Sequence, residues 1–315
     1  MKYSNNKIFV FSPEKEIGPL VSKIVKKEYP EKKKNLIAIS HELSDAVEKL
    51  TTYYNDRVYF DIFLLDLKIP LPIRNEFMKT VNRNQVDYEC IIASDTSALE
   101  KNEIEFIKSI NAYIIPDISE ITLFPLIQNV IQKKFNERKY LLVNRVDNVI
   151  NSEIEGKQAL SHILNLTLEY LDLRICWISL VDYREKTFKI GALTGFGEHE
   201  KEFRENLNVS LTDRSVISEC ITSKEQVQYK DVMDAACPFK GKNLAHKMGL
   251  KSVLVTPIFD RRGITSKKVL ATLNLYTKFH HEFLEDELEL TKIIAAKITA
   301  ALFTKGLYKT EPRGS

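Results

Sequence analysis

Cysteine is scarce, and the four present, Cys90, Cys176, Cys220 and Cys237, are widely spaced with no CxxC pair and no Cys/His cluster. That spacing excludes the usual zinc-ligand pattern and leaves reduced thiols, as in a cytoplasmic protein, as the expectation. No uninterrupted apolar run approaches the length of a membrane span. The N-terminus reaches Pro13 without the apolar core of a signal peptide. Excess charge is also lacking: 46 Lys and Arg against 43 Asp and Glu leave +3, too little to imply a phosphate-backbone partner. The lysine-rich stretch from Lys26 to Lys34 is broken by Glu28, Pro30 and Glu31, and it reads as a solvated helix end and loop. Neither nucleic acid nor membrane is expected as a partner. Missing too are a Gly-rich phosphate loop, HExxH, GxSxG and any kinase or cyclase signature, so neither an enzyme nor a cofactor or metal is expected.

What is present is a globular balance, 44% hydrophobic and 28% charged, over 315 residues, which is more than one ordinary core holds. Two domains are expected. In the first half, short apolar runs alternate with stretches of helical spacing. Lys7 to Phe11 precedes Ile17 to Lys27, Leu36 to Ser40 precedes Leu43 to Tyr53, and Asp61 to Leu67 precedes Ile73 to Val81. Cys90 to Ser94 then precedes Ala98 to Ile110, and Ala112 to Ile115 precedes a long helix. Five such repeats predict an α/β fold with a doubly wound, parallel five-stranded, flavodoxin-like sheet. Its site would lie at the carboxyl ends of the strands, where Ser12, Pro13, Asp66, Ser94 and Pro116 fall.

The stretch Asp61-Ile62-Phe63-Leu64-Leu65-Asp66-Leu67-Lys68-Ile69-Pro70 resembles the third strand and following turn of the receiver domain of bacterial response regulators. The resemblance covers residues 1–130 and places Asp66 at the phospho-acceptor position and Ser94 at the hydroxyl position. Where the family carries an acidic pair for magnesium this chain has Ser12 and Pro13, and Pro116 replaces the family lysine. Glu14 offers one nearby carboxylate. The resemblance therefore implies a degenerate receiver that serves as a protein-interaction platform, with Asp66 a strand-end carboxylate held by neighbouring donors.

From Ser119 to Ser152 there is no glycine, and the single proline, Pro125, lies near the start, so one long helix is expected, with residues 131–156 connecting the domains. Phe135, Leu142 and Val149 recur every seven residues, with Ile131 and Val146 between them. This stripe predicts either the seam of a parallel homodimer or a helix packed on its own domain.

The second half reads as helix Gln158 to Leu171, a hairpin of Ile175 to Val181 and Thr187 to Leu193, and helix Ser215 to Thr222. Strands Val227 to Tyr229, Ser252 to Phe259 and Val269 to Tyr276 follow, and then helix Phe283 to Phe303, giving an antiparallel α+β domain. Three stretches, Ser215 to Tyr229, Gly249 to Ile258, and Phe283 with Glu287-Leu288, resemble the GAF domain over residues 157–305, followed by a flexible tail, 306–315. The resemblance implies a sensory pocket for a small ligand, with Trp177, Ser179, Phe196, Cys237, His246, Asn274 and Tyr276 as candidate lining residues, each equally at home in a core or loop. It also favours the homodimer, extended along Leu290, Ile294, Ile298 and Ala301.

The expected function is a non-enzymatic regulatory protein that senses a small ligand or a signalling partner. Two alternatives are a phosphorylation-competent receiver that controls the second half, and a thiol-dependent reductase resembling GAF-type methionine sulfoxide reductases with Cys237 or Cys220 as nucleophile.

Overall fold

A computed structural model describes residues 7–28, 36–56, 58–85, 88–93, 99–115, 119–171, 173–206, 210–239, 241–260 and 268–308. The chain divides into two compact units, Lys2–Glu137 and Arg138–Ser315. Ser94, Pro116 and residues 309–315 lie outside the described residues.

The first unit follows the alternating pattern: β1 (Lys7–Phe11), α1 (Ile17–Glu28), β2 (Leu36–Ser40), α2 (Leu43–Asn55), β3 (Ile62–Asp66) and α3 (Leu71–Asn84). Then come β4 (Glu89–Ala93), α4 (Lys101–Ser109), β5 (Tyr113–Ile115) and α5 (Glu120–Asn151), whose first part belongs to this unit. The strands are parallel in the order β2-β1-β3-β4-β5. Their near-continuous apolar runs are explained by burial on both faces. Phe9, Phe11, Phe63 and Leu65 meet α2, α3 and α4, while Ile8, Val10, Ile62 and Leu64 meet α1 and Leu123, Ile127 and Val130 of α5. On the first face a group of rings locks the layers, with Phe9 edge-on to Phe60 at 5.2 Å and Phe11 against Phe77 at 4.9 Å. Strand order reverses between β1 and β3, so the crevice of the sheet opens beside the ends of those two strands.

The second unit takes the rest of α5 and continues with α6 (Gly156–Tyr170), β6 (Ile175–Asp182), β7 (Thr187–Thr194), α7 (Glu200–Asn206) and α8 (Val216–Ser223). It ends with β8 (Val227–Tyr229), α9 (Lys242–Lys247), β9 (Ser252–Phe259), β10 (Val269–Thr277) and α10 (Glu285–Thr304). The sheet is antiparallel, in the order β7-β6-β10-β9-β8. β8 pairs with β9 only from Val253 to Val255, so among the described residues the later part of β9, including Pro257, has no strand on that side. Helix α10 starts with Glu285, Asp286 and Glu287, charges that suit the positive end of its dipole, and Glu287 Oε2 accepts the Leu284 N–H at 2.9 Å.

The apolar stripe read as a dimer seam is consumed within the chain. Phe135, Leu142 and Val146 of α5 are buried, as are Leu290, Ile294, Ile298 and Ala301 of α10. Within the second unit, Lys297 reaches Asp147 at 2.6 Å and Lys139 reaches Glu289 at 3.4 Å, which ties α10 to α5. A seven-residue apolar repeat specifies a packing partner but not whose, and here Phe135, Leu142 and Val146 are covered within the chain.

Candidate functional site

The first candidate site is the crevice at the ends of β1 and β3. Asp66 is buried at the last position of β3, and both its oxygens are engaged by the chain itself. Oδ2 accepts the Ser12 hydroxyl at 2.8 Å and Oδ1 accepts the Lys68 N–H at 2.9 Å. Ser12 Oγ in turn accepts the Glu14 N–H at 3.0 Å, and the Ser12 carbonyl meets His41 Nδ1 at 2.7 Å. Glu14, the spare carboxylate of this region, is paired with the Lys68 ammonium. Among the described residues, no group of three or more His, Cys, Asp or Glu side chains converges to hold a metal ion.

Arg74, in the first turns of α3, is a buried cation that the sequence did not single out. Its Nη2 donates to Glu103 Oε1 at 3.0 Å and its guanidinium lies 5.1 Å from the Phe106 ring centre, while Nε and Nη1 have no hydrogen-bond partner. Burial lowers its pKa, with Glu103 and then Asp66 opposing. Only folding brings Glu103 to it, so no local sequence signal marked it.

The second candidate site is the face of the antiparallel sheet that carries Trp177. Alternation along β6 and β10 puts Trp177 and Ser179, and Thr272, Asn274 and Tyr276, on one face. Trp177, Phe196, Cys237 and Tyr276 share one buried cluster with Val216, Cys220, Met248, Val253 and Val255. Phe203 of α7 sits edge-on to Trp177 at 5.1 Å and stacks on Phe196 at 4.3 Å. Beside this apolar cluster runs a buried polar row. Ser179 Oγ and Thr272 Oγ1 are 2.5 Å apart, Thr272 Oγ1 donates to Asn274 Oδ1 at 3.2 Å, and Asn274 Nδ2 donates to the Trp177 carbonyl at 3.2 Å. Thr272 was missed from the sequence, although Thr272, Asn274 and Tyr276 repeat at period two in an otherwise apolar strand.

The Trp177 indole N–H makes no hydrogen bond of good geometry. Burial pushes the Tyr276 phenol far above its ordinary range, and the neighbouring Trp177 indole opposes the shift. Buried groups of this kind, polar but underused, mark a face able to fix the orientation of a small molecule. His246 does not join them. Helix α9 turns Ala245 and Met248 inward, and His246, on its other side, is exposed. The thiols are the reverse of activated: burial pushes Cys237 up to about 11 and raises Cys220 and Cys176 further.

Residues 157–302 match the family model of the GAF domain. Among solved structures, the GAF domain from a phosphoenolpyruvate-protein phosphotransferase of Coxiella burnetii is similar, with TM-score 0.45 and 16% identity over 55% of this chain and 98% of that one. The corresponding GAF domain from Acinetobacter gives 0.43 and 18% over 52% and 92%. Free methionine-R-sulfoxide reductase from Neisseria meningitidis gives 0.43 and 15% over 54% and 90%. No curated protein matches the chain.

Proposed function

We propose that the chain is a non-enzymatic regulatory protein of the cytoplasm. In this reading the GAF-like unit senses a small molecule, and the receiver-like first unit is a pseudo-receiver that presents a surface to a signalling partner. The observation that carries the sensory half is the row Ser179, Thr272 and Asn274 laid against the Trp177 and Tyr276 rings on one sheet face. An apolar wall with a few fixed polar groups is the chemistry of a small-molecule pocket. Ligand contacts are assigned to Trp177, Ser179, Phe196, Cys237, Asn274 and Tyr276, with His246 outside the set. Output by population shift needs no catalytic group, and raised thiol pKa values argue against a nucleophilic Cys237 or Cys220.

Engagement of both Asp66 oxygens by Ser12 and Lys68 supports the pseudo-receiver over a phosphorylation switch. The protein is further proposed to act as a homodimer through residues that remain exposed on α5, Tyr140 and Leu141. Mass spectrometry of small molecules released from the purified chain tests the sensory reading. A stoichiometric ligand whose binding is lost in Trp177→Ala but kept in His246→Ala is expected. Its retention in Trp177→Ala would overturn the assignment.

A further inference from the structure

The second unit carries a groove at the β9 edge of its sheet, beside α10. It holds about 180 Å³ and is lined by the α8–β8 turn, residues 224–226, by Pro257 and Phe259 of β9, and by the face of α10 that carries Lys292 and Ala296. The groove lies where β8 stops pairing at Val255, so that among the described residues no strand pairs with the end of β9 between that turn and α10. It lies at the strand's edge and not on one face: Thr256 Oγ1 bonds to Thr291 Oγ1 of α10 at 3.3 Å, whereas Pro257, opposite Thr272, alternates to the face that carries Val255.

The walls are fixed before anything binds. Gln226 Nε2 reaches Thr256 Oγ1 at 3.0 Å, the Leu288 carbonyl at 3.0 Å and Thr291 Oγ1 at 2.8 Å, which ties the turn to the helix. Lys224 caps α8 in the left-handed region at φ 59°. The apolar part comes from Pro257, Phe259, Ala295 and Ala296, and the rim carries two lysines and one glutamate, a net single positive charge. Among the described residues neither Lys224 nor Lys292 is in an ion pair. A preformed recess with an apolar floor and one net positive charge selects a compact apolar monoanion over a neutral molecule or a dianion.

We propose that this groove binds a small carboxylic acid whose apolar part, an aryl or short branched acyl group, rests on Pro257, Phe259 and Ala296 while its carboxylate meets Lys292 and Lys224. A cavity of about 150 Å³ accommodates a benzene ring, so the recess is matched to one ring and its carboxylate. Because α10 forms one wall, the site reports to the last helix of the unit.

The test uses the full chain with methyl-labelled alanine and benzoate as the probe, followed by NMR. Saturable shifts at Ala295 and Ala296 are expected, with much weaker shifts from benzyl alcohol at the same concentration. Lys292→Gln and Lys224→Asn, the latter tolerant of the left-handed backbone, should each weaken binding about two- to fivefold, the scale of a solvent-exposed charge contact. Glu225→Gln should tighten it. Unchanged binding in Lys292→Gln, equal binding of the neutral alcohol, or no saturable shift at millimolar benzoate would each overturn the proposal. The Trp177 indole signal separates the two sites: its movement without Ala296 would place benzoate in the sensory face and also overturn this assignment.

Discussion

Ser12 donates its hydroxyl proton to Asp66 Oδ2 at 2.8 Å across the ends of β1 and β3, in a place where neither side chain meets solvent. With the Lys68 N–H on Oδ1, the serine leaves both carboxylate oxygens engaged by the chain itself. Phosphoryl transfer to a carboxylate piles negative charge on the acceptor and needs a cation to offset it. Acetyl phosphate or beryllofluoride with magnesium should therefore leave the intact mass and fluorescence unchanged. Stoichiometric labelling that vanishes in Asp66→Asn would restore the phosphorylation switch. Ser12→Ala should destabilise the first unit by about 1 kcal/mol in urea melts, since one buried carboxylate bond is lost.

A second expectation concerns the start of α10. His281 Nε2 lies 2.7 Å from Glu287 Oε2, both side chains are buried, and the same oxygen accepts the Leu284 N–H. Glu287→Ala removes both bonds and leaves the ring and the helix N-terminus without their acceptor. A loss of about 3 kcal/mol in denaturant melts is expected. A change below about 0.5 kcal/mol, the scale of an ordinary surface substitution, would show the pair to be incidental.

The thiols give a pH dependence with a definite sign. Cys237 is pushed up to about 11, chiefly by burial, so the unfolded chain loses this proton before the folded one. The associated stability is complete below the unfolded thiol value of about 9 and declines as pH rises toward 11. Native protein at neutral pH should alkylate at Cys237 about a hundredfold more slowly than unfolded protein, in proportion to its thiolate. Rapid alkylation under native conditions would reopen the reductase reading.

The polar row on the sheet face is testable without knowing a ligand. Asn274→Ala deprives the Trp177 carbonyl and Thr272 of partners and should cost about 2 kcal/mol in thermal or urea unfolding of the second unit. If a bound molecule saturates those groups, adding it should offset part of that loss in wild type but not in the variant.

Dimerisation is expected to depend on exposed α5 residues rather than on the apolar stripe. Tyr140 is 68% exposed and Leu141 48% exposed. Light scattering should show a dimer at micromolar concentration, and Tyr140→Glu with Leu141→Glu should weaken it about tenfold or more. A wild-type monomer under the same conditions would end the proposal.

The long apolar strands were plain in the sequence. Lys7–Phe11, Leu36–Ser40 and Ser252–Phe259 begin and end at the residues where the periodicity changes, because β-branched and aromatic runs of that length have little alternative. Short helices were not legible: α7 and α9, each too brief to show a repeat and rich in charge, take their helical form from Phe203 and Ala245 docking on the sheet. His246 was misplaced for that reason, since one turn gives no phase. Trp177, Ser179, Asn274 and Tyr276, candidates from the family resemblance, share one sheet face because they alternate along two paired strands. Arg74 stayed hidden because its partner Glu103 is on another helix. The stripe on α5 was legible as apolar, and burial of Phe135, Leu142 and Val146 fits the packing of the helix within its own chain, one of the two readings it allowed.

Pro257 has a consequence beyond the groove it floors. Beyond Val255, β9 has no paired strand on its β8 side among the described residues, although Thr256, Pro257 and Ile258 are buried, and an unpaired ladder of this kind recruits strands from other molecules once it is uncovered. Proline has no N–H to offer such a strand and fixes its own φ, so the run Ser252–Phe259, apolar and rich in β-branched residues, is interrupted near its unpaired end. Pro257→Val would complete an uninterrupted, uncharged β-forming segment there, and the protein would then be expected to form fibrillar aggregates under conditions in which the wild-type chain stays dispersed.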